Sequence, residues 1–369
     1  MIAGRLIAFV KREKLAAGLL TGLVVLCLIA PQRIAELPGL VDWRTIAALG
    51  GLLCLTAALE MSGGLRWAAA RLVDHAGTER LAALALVGLT LAAAMFVTND
   101  VALFVAVPLT LSLTRLTGLS PLRLVIFEAL AANAGSLLTP IGNPQNLFLW
   151  QVSGVSFAAF TWAMAPLAAV LIAGLLLLTW FGFPARALKR HEVAAGAVDR
   201  GLLAAALALY VPFLAAVNQG WAVAAGLVLL GLFLAFRRGV LARLDWTLLA
   251  VFVLMFADLR LLTGLPWTRD VVDALRVGAP HRLYGAAILL SQIISNVPAA
   301  IALEPFTHDW KTLAYGVDIG GFGLMQGSLA NLIALRLLGH KGAWRSFHLW
   351  SVPALILAAA AGYVLLFAH

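Results

Sequence analysis

Charged side chains are scarce in this sequence. Asp, Glu, Lys and Arg make up 12% of its 369 residues, whereas 63% of the residues are hydrophobic and the mean hydropathy is +0.98. A soluble domain carries about 25% charged residues, and no polar stretch here is long enough to fold by itself. Many apolar runs approach the ~20 residues that a helix needs to cross a bilayer. These features exclude a soluble protein and predict an all-α polytopic membrane protein.

Cysteines and the sequence motifs of enzymes are equally sparse. The two cysteines, Cys27 and Cys54, lie in apolar runs and are expected to pack as small hydrophobic side chains. The sequence has no phosphate-binding loop and no H-E-x-x-H motif. It also offers no nucleophile with a matching base at one depth of the membrane. We therefore expect neither an enzyme nor a bound cofactor.

Positive charge exceeds negative charge, and the net charge is +9. In a membrane protein this excess marks the cytoplasmic loops, so it does not indicate a nucleic-acid partner. No cleavage site follows the apolar run 15–30, which we interpret as an uncleaved first helix. With the basic loops inside, the chain makes roughly nine crossings, with a cytoplasmic N-terminus and an external C-terminus. We expect an integral protein of a bacterial inner membrane, surrounded by lipid.

Polar residues interrupt the apolar runs at two pairs of places. The first pair is Thr98-Asn-Asp100 and Leu138-Thr-Pro-Ile-Gly-Asn-Pro-Gln-Asn-Leu147. The second pair is Ser295-Asn-Val297 and Gly323-Leu-Met-Gln-Gly-Ser-Leu-Ala-Asn-Leu332. Such interruptions are costly in lipid unless they face protein or water. Broken helices at matching places in two halves are typical of the binding site of a transporter.

The two pairs belong to an internal repeat. Gly39-Leu-Val-Asp-Trp-Arg-Thr45 resembles Ala242-Arg-Leu-Asp-Trp-Thr-Leu248, and each segment opens an apolar helix. We predict two inverted repeats, each with a re-entrant hairpin and a broken transmembrane helix. The predicted division is a cytoplasmic N-terminus (1–14), a first repeat (15–183, hairpin 81–115, broken helix 122–150), a cytoplasmic linker with a connecting helix (184–219) and a second repeat (220–369, hairpin 281–305, broken helix 311–337).

With these features the chain resembles the ion-transporter superfamily. The resemblance covers nearly the whole chain and is carried by the two halves, the asparagine-tipped hairpins and the stretch Ser136–Asn146. That superfamily includes sodium-coupled dicarboxylate and citrate symporters, arsenite permeases and one class of sodium/proton antiporters. The sequence is most similar to the short bacterial anion permeases of the arsenite branch. The resemblance implies a homodimer.

The resemblance also implies sodium sites. In the dicarboxylate branch each tip reads Ser-Asn-Thr and binds sodium, and the threonine hydroxyls reach the substrate carboxylate. Here Asp100 and Val297 replace the two threonines. The positions that match the sodium-binding pattern are Thr98, Asn99, Gly142, Ser295, Asn296 and Gly327.

The physics of a broken helix independently suggests that these positions bind ions. Half-helix C-termini and unwound carbonyls suit a cation, whereas half-helix N-termini suit an anion. The candidate residues for substrate or ion binding are Thr98, Asn99, Asp100, Thr139, Gly142, Asn143, Asn146, Ser295, Asn296, Gly327, Ser328 and Asn331. Three acids in apolar surroundings, Asp100, Glu128 and Asp318, are candidates for a proton relay, because an ionisable group within the membrane is functional by default. A fourth acid, Asp258, is expected to pair with Arg260 near the outer end of its helix.

The sequence favours a secondary active transporter for a small anion or oxyanion, carboxylate-like, that works by alternating access and is coupled to sodium or protons. Asp100 and the absence of tip threonines leave two alternatives open, efflux of arsenite or another metalloid and sodium/proton exchange. A scaffold would not require symmetric helix breaks, and an intramembrane enzyme would require a nucleophile with a base or metal ligands. A channel is an alternative because re-entrant loops build filters, but the inverted halves disfavour it.

Overall fold

The computed structural model describes residues 14–74, 76–117, 120–188 and 196–368. Residues 1–13 of the predicted cytoplasmic N-terminus and residues 189–195 of the predicted linker lie outside the described residues. Within the described ranges the chain is helical and forms no β-strand, only an isolated bridge between Thr78 and Ala187. The prediction of an all-α polytopic membrane protein is confirmed. The inverted relation of the two repeats stays a prediction.

The first half of the chain contains eight of the helices named here. They are α1 (Lys14–Ile29), α2 (Trp43–Met61), α3 (Gly64–Asp74), α4 (Glu79–Phe96), α5 (Asn99–Thr117), α6 (Pro121–Ser136), α7 (Pro144–Ser153) and α8 (Phe157–Gly182). A 3-10 turn at Pro31–Glu36 and a single helical turn at Leu37–Leu40 connect α1 to α2.

The rest of the chain continues the series. Its helices are α9 (Arg200–Asn218), α10 (Ala222–Phe236), α11 (Arg238–Arg243), α12 (Trp246–Thr263), α13 (Pro266–Ala274), α14 (Pro280–Ile294), α15 (Asn296–Leu303), α16 (Trp310–Ile319), α17 (Leu329–Leu338) and α18 (Ala343–Phe367). Short 3-10 turns lie at Glu304–Phe306 and Met325–Gly327.

Six helices of the described part are long and apolar enough to cross a membrane, namely α2, α4, α8, α9, α12 and α18. Helices α6 and α7 have 16 and 10 residues, and α16 and α17 have 10 each. Only as pairs do these shorter helices reach the ~20 residues that a crossing requires. The count of nine crossings and the orientation of the termini stay predictions.

Equivalent aspartates begin the first long helix of each predicted repeat unit. Asp42 Oδ1 accepts hydrogen bonds from the backbone N–H groups of Arg44 and Thr45, and Asp245 Oδ1 accepts one from Leu248. The tryptophan after each aspartate donates its indole N–H to a carbonyl five residues earlier, Trp43 to Pro38 and Trp246 to Leu241. The Asp-Trp pair therefore forms the same N-cap, which stabilises a helix start by satisfying free N–H groups.

Glycines allow each hairpin to pack closely on a broken helix. Helix α4 packs on α6, and α14 packs on α16. A Cβ added to Gly135 of α6 would lie 2.3 Å from the Leu91 carbonyl oxygen, and one added to Gly316 of α16 would lie 2.5 Å from Ala287 Cβ. Small residues of this kind let helices approach in a membrane protein.

The two halves interlock through the second parts of the broken helices. Helix α7 packs against α15 and α16 of the second half, whereas α17 packs against α5 and α6 of the first half. Each break therefore lies against elements of the other half. This exchange creates one shared centre, in which Asn99, Gly142, Asn296 and Gly327, one residue from each interruption, are buried by protein.

Candidate functional site

The first hairpin tip contacts the first break, which is the segment 137–143 between α6 and α7. Helix α6 ends at Ser136, and α7 begins at Pro144 after an irregular segment. The backbone N–H of Asn99, the first residue of α5, donates to the Gly142 carbonyl at 2.8 Å. Thr139 Oγ1 donates to the Met95 carbonyl in the last turn of α4 at 2.5 Å. Two hydrogen bonds thus join this tip to the unwound segment.

The second break is the segment 320–328 between α16 and α17. The second hairpin contacts it through the side chain of Gln292. Gln292 of α14 donates its Nε2 to the Gly320 carbonyl at 2.7 Å and accepts from the Leu324 N–H at 2.8 Å. A Cβ added to Gly321 would lie 3.3 Å from Asn296 Nδ2, which places this tip asparagine against the break. In each half, therefore, the hairpin tip lies against the unwound part of the broken helix.

The two tips share an unusual backbone conformation. Thr98 has a φ of 68° and Ser295 a φ of 77°, in the left-handed region that residues with a Cβ seldom adopt. The asparagine that follows accepts a hydrogen bond from the next N–H, Asn99 from Asp100 and Asn296 from Val297, at 3.0 Å in both tips. Such strained residues cluster at functional sites. The tips are alike in conformation and differ at the third position, an acid in one and an aliphatic side chain in the other.

Amide side chains connect the two halves at the centre. Asn133 of α6 donates Nδ2 to Asn331 Oδ1 of α17 at 2.8 Å, and Asn331 Nδ2 donates to the Gly321 carbonyl at 2.9 Å. Asn133 Nδ2 also lies 3.2 Å from that carbonyl. Both asparagines are buried. This neutral network ties the first broken helix to the second.

A buried carboxylate forms the other connection between the halves. Asp318, near the end of α16, accepts hydrogen bonds at Oδ1 from Asn143 Nδ2 and from Gln145 Nε2, both at 3.0 Å. The Asn146 side chain faces the same carboxylate. Asp318 is 3% exposed, and its other oxygen, Oδ2, has no hydrogen-bond partner in the described structure. A buried acid of the second half is therefore held by amides of the first half.

Helix ends of both polarities meet at this centre. Helices α5, α7, α15 and α17 begin there, whereas α4, α6, α14 and α16 end there. Helix N-termini favour anions, and helix C-termini favour cations. Asn143 already caps α7, because its Oδ1 accepts from the Asn146 N–H at 2.8 Å. The arrangement is electrostatically suited to a cation and an anion side by side.

A family comparison agrees with this architecture. The family model described as "Citrate transporter" matches residues 6–309, which is most of the chain. The chain belongs to the citrate transporter family. It is therefore an integral membrane transporter and not an enzyme. The family is part of the superfamily that the sequence resembles, and the assignment to the arsenite branch stays a prediction.

Several relatives resemble this citrate transporter family member over most of their length. It is 46% identical over 336 residues to the "Inner membrane protein YbiR" of Escherichia coli, covering 89% of each chain. It is 32% identical over 320 residues to the "Uncharacterized transporter MJ0456" of Methanocaldococcus jannaschii, covering 85% of this chain and 86% of the relative. It is 24% identical over 373 residues to the "Uncharacterized transporter Rv2684" of Mycobacterium tuberculosis, covering 88% and 86%.

All twelve candidate residues for substrate or ion binding lie at the two tips and breaks. These are Thr98, Asn99, Thr139, Gly142, Asn143, Asn146, Asn296, Gly327, Ser328 and Asn331, which are buried, and Asp100 and Ser295, which are partly exposed. Their roles in binding stay predictions.

The three relay candidates are separated by the structure. Asp318 lies in the polar centre, and Asp100 lies at the first tip with Oδ1 buried and unpaired. Glu128 lies away from the breaks, fully buried between α5 and α6, where Oε1 accepts from Thr110 Oγ1 at 2.5 Å and Oε2 has no partner. A continuous relay through all three is not formed by the hydrogen bonds described.

Four further residues shape the site but were not among the candidates predicted from the sequence. They are Asn133, Gln145, Gln292 and Gly321. Asn133 and Gln292 lie within helical runs, where a single polar residue gives no sign of which neighbour it meets. A repeat alignment could have found Asn133, because its spacing to Asn146 equals the spacing of Asp318 to Asn331.

The expected pair of Asp258 with Arg260 is wrong. Arg260 Nη2 donates to Glu304 Oε2, at the end of the second hairpin, at 3.2 Å, whereas Asp258 Oδ1 is buried and unpaired. Two residues apart on a helix, the side chains point to different faces and do not meet.

Proposed function

We propose that this protein is a secondary active transporter that moves a small anion or oxyanion, carboxylate-like, coupled to sodium or protons by alternating access. One observation carries the proposal. Two strained, asparagine-containing hairpin tips lie against two broken helices, and all of these elements meet at a buried polar centre shared by both halves. A structural role alone does not require such a centre, because polar interruptions destabilise a helix in lipid.

The expected ligands follow from the charges of the centre. Four helix N-termini are directed at it, which favours an anion, and the carbonyl of Gly142 and the tip side chains of both halves offer oxygens to a cation. We assign the coupling sodium, where sodium is used, to Thr98, Asn99 and Gly142 in one half and Ser295, Asn296 and Gly327 in the other.

The wider arrangement is part of the same proposal. The two halves are inverted repeats that exchange conformations, the N-terminus is cytoplasmic and the C-terminus is external. The protein works as a homodimer in a bacterial inner membrane. The name of the Escherichia coli relative and the similarity over 89% of the chain support this location.

A second candidate function is favoured by the first tip. Asp100 stands where the dicarboxylate branch has a hydroxyl, and its Oδ1 is buried without a partner. A negative charge there repels a dianion unless a cation or proton accompanies it. Efflux of a neutral metalloid such as arsenite, or sodium/proton exchange, avoids this repulsion.

Transport by the purified protein in proteoliposomes tests the proposal. Uptake of radiolabelled citrate, succinate, phosphate, sulfate and arsenite is measured under an imposed sodium gradient and, separately, a proton gradient. Asn99→Ala and Asn296→Ala are expected to abolish uptake without preventing membrane insertion, because each removes the side chain that shapes a tip. Asn218→Ala is the matched control, since Asn218 only accepts a hydrogen bond from the Phe157 N–H at the exposed start of α8.

Uptake of one of the anions by wild type and by Asn218→Ala, together with its loss in the tip variants, supports the proposal. Wild-type flux in both tip variants contradicts the site. Gradient-driven arsenite or cation movement without uptake of any carboxylate, phosphate or sulfate supports the second candidate instead.

A further inference from the structure

The two halves place different side chains at one equivalent position. Asn133 in α6 and Asp318 in α16 each precede, at the same spacing, an asparagine of their own half, Asn146 and Asn331. The cross-half partner of Asn133 is Asn331, and Asp318 faces Asn146. The equivalent pairs are therefore amide with amide on one side and carboxylate with amide on the other.

The amide pair needs no additional ligand to hold it together. Asn133 donates to Asn331 at 2.8 Å, and the second amide group donates to the Gly321 carbonyl. The pair is uncharged, both of its NH₂ groups have acceptors, and Asn133 Oδ1 is its one buried oxygen without a hydrogen-bond partner. Burying such a hydrogen-bonded neutral pair carries little penalty.

On the carboxylate side, more of the buried oxygens lack a hydrogen-bond donor. Asp318 Oδ2, Gln145 Oε1 and Asn146 Oδ1 are all buried and have no hydrogen-bond partner in the described part of the chain. All three are acceptors, and of the neighbouring amide groups Gln145 Nε2 donates to Asp318 Oδ1 and Asn146 Nδ2 donates to the Leu137 carbonyl, each through one of its two N–H groups. Among the described residues, Asp318 takes part in no ion pair. A buried carboxylate without a countercharge is strongly destabilising.

Unpaired oxygens with one negative charge are what a small hard cation requires. Carboxylate and amide oxygens are the preferred ligands of such ions. A single carboxylate matches one positive charge, and the described residues contain no group of three or more His, Cys, Asp or Glu side chains that would suit a divalent or transition metal. The oxygen ligands select a hard cation, and the single negative charge favours a monovalent one.

We propose that Asp318, Gln145 and Asn146 bind a sodium ion between the two breaks, through Asp318 Oδ2 and the two amide oxygens. This site is distinct from the sodium positions assigned above, since none of its three ligands is among those six residues. Its role in coupling rests on the proposed function. Binding of the ion itself does not, so the two are tested separately.

The test is thermal unfolding of the detergent-purified protein in sodium chloride, titrated against choline chloride at constant ionic strength and without an anionic substrate. Stabilisation by a bound ligand grows with its concentration as RT ln(1 + [L]/Kd). Wild type is expected to be stabilised by sodium. In Asp318→Asn the sodium concentration needed for a given stabilisation should rise at least about tenfold, because the site loses its charged ligand.

Two further variants separate the site from general effects. Asp258→Asn removes another buried carboxylate with an unpaired oxygen, away from the centre, and is expected to keep the sodium response. Gln145→Leu removes one neutral ligand and should weaken the response while leaving the charge in place. Asp318→Asn is expected to fold, because it recreates the amide pair that Asn133 and Asn331 form in the other half.

The outcomes distinguish this site from the proposed function. An unchanged sodium response in Asp318→Asn, or equal melting of wild type in sodium and choline, overturns the site. A response to pH alone also overturns it.

If the protein takes up an anion in proteoliposomes without dependence on sodium, the transporter proposal still holds. If the protein moves no anion but is stabilised by sodium through Asp318, the sodium site still holds and the transporter proposal does not.

Discussion

Replacing Gly142 by alanine should break the contact between the first tip and the first break. A Cβ at this position would lie 2.1 Å from the Ser136 carbonyl oxygen, which is backbone and cannot swing away. Carbon and carbonyl oxygen normally approach to about 3.3 Å, so the segment must open by roughly 1 Å. The Gly142 carbonyl, which accepts from the Asn99 N–H at 2.8 Å, moves with it.

The energetic cost follows from two terms. Forcing an extra methyl group into a closely packed region costs about 1–3 kcal/mol. Losing the hydrogen bond from Asn99 adds about 0.5–1.5 kcal/mol. Gly142→Ala is therefore expected to reduce the free energy of unfolding by roughly 2–4 kcal/mol, if the two terms add.

Two other glycines give a graded comparison. At Gly327, in the second break, an added Cβ would lie 2.6 Å from the Gly320 carbonyl oxygen, so the overlap is smaller. At Gly174, inside α8, nothing lies within 4 Å of an added Cβ. Alanine at this helical position is expected to be neutral or to stabilise by up to about 1 kcal/mol.

Thermal unfolding in one detergent checks the expected order of stability, and transport in proteoliposomes is the second readout. Melting temperature should be lowest for Gly142→Ala, intermediate for Gly327→Ala and at or above wild type for Gly174→Ala. A Gly142→Ala protein with the melting temperature of Gly174→Ala and the transport rate of wild type would refute the close approach of the backbone at the break.

Two further changes test local parts of the fold. Thr110→Val leaves both oxygens of buried Glu128 without a donor and should destabilise by about 1–3 kcal/mol, whereas Thr179→Val, whose hydroxyl only bonds its own helix, should melt near wild type. Asp42→Ala and Asp245→Ala each remove an N-cap, at about 1 kcal/mol. Asp42 accepts two N–H groups and Asp245 one, so Asp42→Ala should melt lower, and the reverse order would contradict the capping geometry.

The sequence predicted the interruptions well because their cost is local. Gly, Asn and Pro in an apolar run disrupt a helix wherever it lies, so the segment around Gly142 and Asn143 was recognisable without a structure. The prediction of hairpins around Thr98 and Ser295 had the same basis. These features are properties of a few consecutive residues in a lipid environment.

Contacts between the halves could not be predicted in the same way. Whether Asn133 meets Asn331, or Gln145 meets Asp318, depends on which faces of distant helices pack together. A single sequence does not contain that pairing. The error at Arg260 has the same origin, because its partner Glu304 lies at the end of the second hairpin rather than on its own helix.

Two acids make the halves unequal although each half has a hairpin tip with a positive φ and a broken helix. Asp100 is at the tip of the first half, where the second half has Val297, and Asp318 is in the broken helix of the second half, where the first half has Asn133. In the proposed alternating access, the inward and outward states arise when the repeats exchange conformations. Equal halves would make these states similar in energy. Acids at non-equivalent positions have different surroundings in the inward and outward states. A cation that binds beside one of these acids therefore has a different affinity for each state, and it shifts the population toward the state that it binds more tightly. The asymmetry of charge, rather than the symmetry of the fold, is therefore what would couple a cation to the direction of transport.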